Sequence, residues 1–263
     1  MNTDFYHRIS ALQLAVVFFI LIFLFLWIGH RYRTAQLAKG QKEEAFNLGS
    51  AESFLLTLTA LLLSFTFGAA SSKYESRRQV IVEEANDIGT AILRCDLYSD
   101  STREKLRIDF KDYLETRINY YDAGDDPIKV AKELEESNVK AKKIWDRVTA
   151  MARDRSNVFI TAQMIPALNN VIDIVATREA NRQAIVPRFI VWVLCILVLT
   201  TAFLIGYSSK GKKRQIIVAF AFALITTLTL FLILELDRAQ QGLINLDAAA
   251  GKLVELRSLF VIK

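Results

Sequence analysis

An all-α fold is what this sequence predicts: four transmembrane helices in a two-plus-two arrangement, with an antiparallel helical bundle inserted between the pairs. Three observations predict it. Four windows of 20 or 21 residues carry no Asp, Glu, Lys, Arg or His: Ile9–Gly29, Ser53–Ser72, Phe189–Ser209 and Gln215–Leu234. Each is about as long as a helix must be to cross roughly 30 Å of hydrocarbon. Between the second and third windows lies a charged stretch, Lys73 to Arg188, with 20 basic and 20 acidic side chains. Within it, apolar residues recur at helical spacing and strand alternation is absent.

The first window is read as a retained anchor. Its apolar core is too long for a signal-peptide h-region, and His30-Arg31-Tyr32-Arg33 follows it in place of a small-residue cleavage site. The second window carries a small and polar stripe at intervals of three or four: Ser53, Thr57, Ala60, Ser64, Gly68 and Ser71. Two readings fit such a stripe, close helix packing and a pore-lining face. A third window follows Pro187, which is expected to kink its entry. The fourth has a weaker small-residue face, Ala219, Ala223 and Thr226, and ends in Leu234-Glu-Leu-Asp-Arg238. Glu235 and Asp237 sit at that boundary, where they either pair locally with Arg238 or form a charged pore mouth.

The middle region divides into four amphipathic helices. Ile81, Ala85, Ile88, Ile92 and Cys95 form one stripe, and no Pro separates them from the second window, so one helix is expected to run through both. Ser101-Thr-Arg-Glu104 fits a capping box that starts the next helix, striped by Leu106, Phe110, Leu114, Ile118 and Tyr121. Asp126 caps a third at Pro127, with Ala131, Leu134, Ala141, Trp145 and Val148, ending near Arg155. A fourth runs through Leu168, Ile172 and Val175 toward Ile185. Four such helices form a bundle most simply by antiparallel packing. The expected divisions are 1–72 for the first two spans, 73–188 for the bundle, 189–234 for the last two spans and 235–263 for an amphipathic tail. Leu253, Leu256 and Phe260 give that tail a stripe for the membrane surface or a neighbouring chain.

Charge in the short loops bears on topology. Arg31, Arg33, Lys39 and Lys42 follow the first span, and Lys210, Lys212, Lys213 and Arg214 follow the third. These eight place the two loops in the cytoplasm, with the termini and the bundle outside. The net charge of +5 reports topology here, not nucleic acid binding.

Enzymatic chemistry finds little footing. The two histidines, His7 and His30, flank a span, and no H-x-x-E-H, G-x-S-x-G, P-loop or G-x-G-x-x-G pattern occurs. Cys95 and Cys195 fall in no metal or redox pattern. Glu83, Glu84 and Asp87 share one helix without a histidine partner, an arrangement of solvated or paired carboxylates rather than a metal site. No cofactor is expected. No span holds a charge at mid-bilayer, which disfavours a proton relay.

Leu62-Leu-Ser-Phe-Thr-Phe-Gly68, Lys73-Tyr-Glu-Ser-Arg-Arg78 and Val82-Glu-Glu-Ala-Asn-Asp-Ile-Gly-Thr90 resemble the bacterial membrane family called bestrophin-like. Leu236-Asp-Arg238 followed by Gly242 is similar to that family's ending of its last span. The resemblance implies kinship with bestrophins, pentameric anion channels with four-span subunits. It implies the opposite orientation to the charge count, with termini and middle domain in the cytoplasm. The expected function is an oligomeric ion channel-like pore in the bacterial inner membrane, with small ions, lipid and further copies of the chain as partners. Ser53, Thr57, Ser64, Gly68 and Ser71 are its candidate pore-lining residues. Arg77, Glu84, Asn86, Glu235, Asp237 and Arg238 are the candidate pore-mouth or coupling residues. The alternative is a membrane-anchored sensor or scaffold whose bundle binds a ligand or partner protein.

Overall fold

The computed structural model describes residues 10–40, 49–210, 213–238 and 242–261. Among them every regular element is helical: α1 (Ala11–Ala38), α2 (Gly49–Arg94), α3 (Asp100–Asp122), α4 (Pro127–Met151), α5 (Val158–Gln183), α6 (Arg188–Ser208), α7 (Lys213–Asp237) and α8 (Asp247–Glu255), with 3₁₀ turns at Cys95–Leu97, Arg155–Asn157 and Leu256–Phe260. Among the described residues, four helices are long and apolar enough to cross a membrane. The chain forms two compact units, residues 1–73 with 185–238, and residues 74–184 with 239–263. Of the topological cations, Arg8, Lys42 and Lys212 lie outside the described residues, as does His7.

In the first unit α1 is the central packing partner, lying along α6 and against α7. Ser10 and Gln13 form a reciprocal capping box at its start, so the amides that an α-helix leaves open are met at once. Gly29 and Gly206 set the spacing of α1 and α6. A Cβ on Gly29 would collide with the Phe203 carbonyl, and one on Gly206 with the Leu26 carbonyl. Small residues at such a crossing let backbones touch. Tyr32, Phe203 and Tyr207 stack beside the crossing. Phe19 and Phe23 of α1 meet Phe220 of α7. Helix α1 continues nine residues beyond the expected end of its span, and this extension carries Arg33. That side chain is buried and donates to the Ser208 carbonyl at 2.8 Å. A cation there satisfies the open C-terminus of α6.

Between α5 and α6, residues 184–187 leave the helix, and Pro187 stands at the N-cap of α6. The expected kink is therefore a break. Proline has no amide to continue the preceding helix. By contrast, Pro166 lies inside α5, where Arg94 donates to the nearby Gln163 carbonyl.

The second unit is built on one apolar core. Ile81, Ala85, Ile88, Ile92 and Cys95 of α2 meet Leu106, Phe110, Leu114 and Ile118 of α3, and then Ala141, Ile144 and Val148 of α4 and Met164, Leu168 and Val171 of α5. Cys95 is so enclosed that burial pushes its thiol up to about 12, which makes it an inert packing group. Asp126 caps α4 as expected, with Oδ1 accepting from the Ile128 and Lys129 amides.

Three local expectations are corrected. Helix α3 starts one residue before Ser101, with Ser99 at the N-cap and no side-chain cap. The Ser99 backbone is extended and its carbonyl takes the Thr102 and Arg103 amides, so the Ser101–Glu104 box has no terminus to serve. On α4, Ala131 is exposed, while Val130, Ser137 and Ile144 are buried; Val130 and Ile144 offer more apolar surface than Ala131. The tail does not present its stripe outward. Leu246, Ala249 and Leu253 enter the core of the second unit, and Leu256 and Phe260 pack against it. Arg257 holds Glu115 through two hydrogen bonds, and Arg107 donates to the Leu259 carbonyl at 3.0 Å.

Candidate functional site

The membrane part of α2 has two unlike sides. Thr59, Leu63, Thr66 and Ala70 face inward and are buried. Thr59 shares a buried hydroxyl–hydroxyl hydrogen bond with Thr201 of α6 at 3.0 Å. The stripe read from sequence lies on the other side. Ser53, Thr57, Ala60, Ser64 and Gly68 are all exposed on the protomer, and Ser71 is half-buried. Among the described residues, nothing beyond the helix's own neighbouring residues stands within 4 Å of where a Gly68 Cβ would be. A bulkier exposed stripe, Phe54, Leu58, Leu61 and Phe65, runs immediately beside it. Among the described residues, the close backbone approaches are at Gly29 and Gly206, and the small-residue face of α2 is exposed.

The end of α7 is closely tied. Glu235 is buried and Asp237 half-buried. Asp237 Oδ1 accepts the Val186 amide at 2.8 Å, satisfying a donor in the non-helical link before α6. Lys73 donates to the Ile185 carbonyl in the same link at 2.9 Å. The Arg238 amide closes α7 on the Leu234 and Glu235 carbonyls. At this corner Asp237 thus ties the link to the end of α7, beside the buried Glu235.

The remaining candidates belong to the second unit. Asn86 is exposed. Arg77 is buried and gathers the C-terminus of α5, donating from Nε to the Asn181 carbonyl at 3.2 Å and from Nη2 to the Ala184 carbonyl at 2.5 Å. Glu84 is fully buried between two guanidinium groups. Arg117 Nε lies 2.5 Å from one carboxylate oxygen, and Arg178 Nη1 bonds the other. Burial pushes the Glu84 carboxyl up, but Arg178 and Arg117 outweigh it and hold it below the ordinary range. Arg117 also donates to Ser137 Oγ at 3.3 Å, while its Nη2 finds no hydrogen-bond acceptor among the described residues. Tyr120 lies under both cations, 4.5 Å from Arg117 and 5.0 Å from Arg178. Its hydroxyl donates to Glu179 at 2.5 Å, and Glu179 in turn pairs with Arg182. Burial and that carboxylate push Tyr120 up to about 12.

Arg117, Tyr120, Arg178 and Glu179 were not among the sequence candidates. A signal for two of them was present. Arg117 follows Phe110, Tyr113 and Leu114 at core spacing, and Arg178 follows Val171 and Ile174 in the same way. A charge in a core register calls for a buried partner, and Glu84 occupies such a register on α2. Among the described residues no group of three or more His, Cys, Asp and Glu is placed to hold a metal ion.

Long apolar helices joined to a helical unit with a buried ionic core define a multi-pass helical membrane protein. The chain belongs to the Bestrophin-like domain family, whose family model matches residues 16–250. Two solved structures of a bacterial bestrophin homologue from Klebsiella pneumoniae share the fold. A point variant aligns with TM-score 0.73 at 12% identity, over 94% of this chain and 99% of that one. A second structure, phased on zinc, gives 0.68 at 14% identity, over 92% and 98%. No curated protein matches the chain.

Proposed function

We propose that the chain is a subunit of an oligomeric ion-conducting pore in the bacterial inner membrane, with the Ser53–Ser71 face of α2 lining the path. One observation carries the reading: this small and polar face is exposed while the opposite face of the same helix is buried. Polar groups gain nothing from lipid, so water in a shared path or a neighbouring copy is the better environment. The bestrophin kinship supports the same conclusion. Glu235, Asp237 and Arg238 then act at one end of the path as supports, and Arg77 and Glu84 as coupling groups.

The orientation adopted is the one the kinship implies, with the helical unit in the cytoplasm. The charge bias that favoured the reverse is weak. Arg8, Lys73, Arg77, Arg78, Arg178, Arg182, Arg188 and Arg238 flank the spans on the side of the helical unit and equal the eight cations of the short loops.

Ion flux from liposomes tests the proposal. The wild type conducts, and Ser64→Leu lowers flux without loss of assembly, because an apolar constriction closes a pore by dewetting. Leu62→Ala, on the other side of α2, changes flux much less. A second reading, the anchored sensor or scaffold, draws on a groove of about 320 Å³ beside Trp145, Ile172 and Val175. Wild-type protein that assembles yet passes no ions across pH and calcium levels leaves that reading in place.

A further inference from the structure

Ala141 holds a buried position on α4, in the register that Ile144 and Val148 continue. Beside its short side chain is an open-sided groove of about 320 Å³, walled by Trp145 of α4 and by Ile172 and Val175 of α5. Tyr113 of α3 closes it from beneath. Its ring is fully buried, and its hydroxyl is committed to the Val171 carbonyl at 3.4 Å. From Ser137 to Trp145 the groove follows α4 for about 12 Å. At the roughly 30 Å³ that a water takes in the liquid, it holds about ten waters, the lower end of the range for small-molecule pockets. Polar groups stand along it unused. The Asn138 and Asn169 carboxamides and the Trp145 indole N–H make no hydrogen bond among the described residues. Ser137 Oγ, by contrast, is taken: it accepts from Arg117 at 3.3 Å and donates to the Leu134 carbonyl at 2.8 Å. Lys142, which also borders the groove, is held by both Asp146 carboxylate oxygens at 3.1 and 3.0 Å. An ionic occupant would therefore lose hydration without meeting an opposite charge. A neutral one keeps its hydrogen bonds, since each carboxamide offers two donors and an acceptor. A flat ring gains further from the faces of Tyr113 and Trp145.

We propose that this groove is a binding site for a small neutral aromatic amide. The ring lies against Tyr113 and Trp145 and faces Ile172, and the amide pairs with the Asn138 and Asn169 carboxamides. The site goes beyond the pore reading and does not depend on it. Occupancy stabilises the helical unit by mass action.

Benzamide is the probe, with benzoate as its charged isostere. Trp27 and Trp192 are both exposed, and replacing them by Phe in the full-length protein leaves Trp145 as its one indole. In detergent, benzamide is expected to change Trp145 fluorescence saturably, with half-saturation at about 0.1–10 mM for a fragment of this size. Benzoate is expected to bind at least about tenfold more weakly. Asn169→Leu and Ile172→Trp, both at exposed positions, are expected to weaken benzamide binding by about tenfold or more and to leave the Tm unchanged. A linear, unsaturable response, an equal response to benzoate, or an affinity that survives both variants overturns the site. If the variants do not assemble, wild-type crystals soaked with para-bromobenzamide decide. A bromine anomalous peak beside Trp145 upholds the site; a groove without bromine, or one filled by a second copy of the chain, overturns it. None of these measurements reads ion flux, so failure here is distinguishable from failure of the pore.

Discussion

Gly29 on α1 and Gly206 on α6 are reciprocal: each is the gap into which the other helix's backbone fits. Any side chain at either position must push the two helices apart. Gly206→Leu is therefore expected to lower stability in detergent by at least the roughly 1–3 kcal/mol typical of overpacking. Thermal unfolding checks it. The control is Gly68→Ala, where nothing among the described residues stands in the way. Gly68→Ala is expected to leave protomer stability within about 0.5 kcal/mol of wild type.

Among the described residues, Glu84 is the one carboxylate bonded to both Arg117 and Arg178. Glu84→Gln leaves two buried cations without an opposing charge and is expected to cost about 3–5 kcal/mol. Adding Arg117→Met is expected to recover part of that loss. Chemical denaturation of the single and double variants measures the coupling; equal stability of the two would show that the ion pair contributes nothing.

Acid should weaken the same unit. Glu84 is held below the ordinary carboxylate range, and Glu179 is lowered to about 2, with Arg182 the main cause and burial opposing it. Groups with depressed folded values bind protons more readily when unfolded. Their contribution is thus complete above the unfolded value of about 4.3 and lost as pH falls through the folded one. Tm measured from pH 6 to pH 3 is expected to fall most steeply below pH 4.5. Arg182→Gln should flatten that fall.

Phe110 is fully buried in the second unit. Phe110→Ala is expected to destabilise it by about 3–5 kcal/mol. Leu253→Ala, from the tail, is expected to cost about 2–5 kcal/mol, because its side chain is equally enclosed. A Leu253→Ala variant of wild-type stability would show that the tail is not part of this core.

Membrane orientation is checked with impermeant thiol reagents in intact cells, after Cys95 and Cys195 are replaced. A cysteine at Lys39 or Lys210 is expected to label, and one at Gly124 to be protected. The opposite pattern restores the orientation given by loop charge alone.

Helical periodicity made much of this fold legible. The charge-free windows mark the four long apolar helices, and Ile81, Ile88, Ile92, Phe110 and Leu114 all fall in the core. What escaped was set by tertiary pairing. Gly29 and Gly206 are single glycines, and nothing in either span's own pattern says that the two coincide. Arg117 and Arg178 stood in core registers, but the partner that makes burial tolerable, Glu84, lies 33 and 94 residues away in sequence. The tail stripe was visible; its destination was not, since an apolar face fits a membrane surface or a protein core equally well by composition. The unpartnered face of Ser64 and Gly68 follows the sequence stripe closely, and its use is what the flux measurements address.

The place of Leu246, Ala249 and Leu253 in the core has a consequence for biosynthesis. These residues leave the ribosome only after α6 and α7 have been made. Until then, the core of the second unit lacks these three members. The helical unit is therefore completed only after α7 has been made, not in the order in which its first four helices emerge. A nascent chain halted within α7 carries an open apolar slot, the kind of surface that chaperones and proteases recognise.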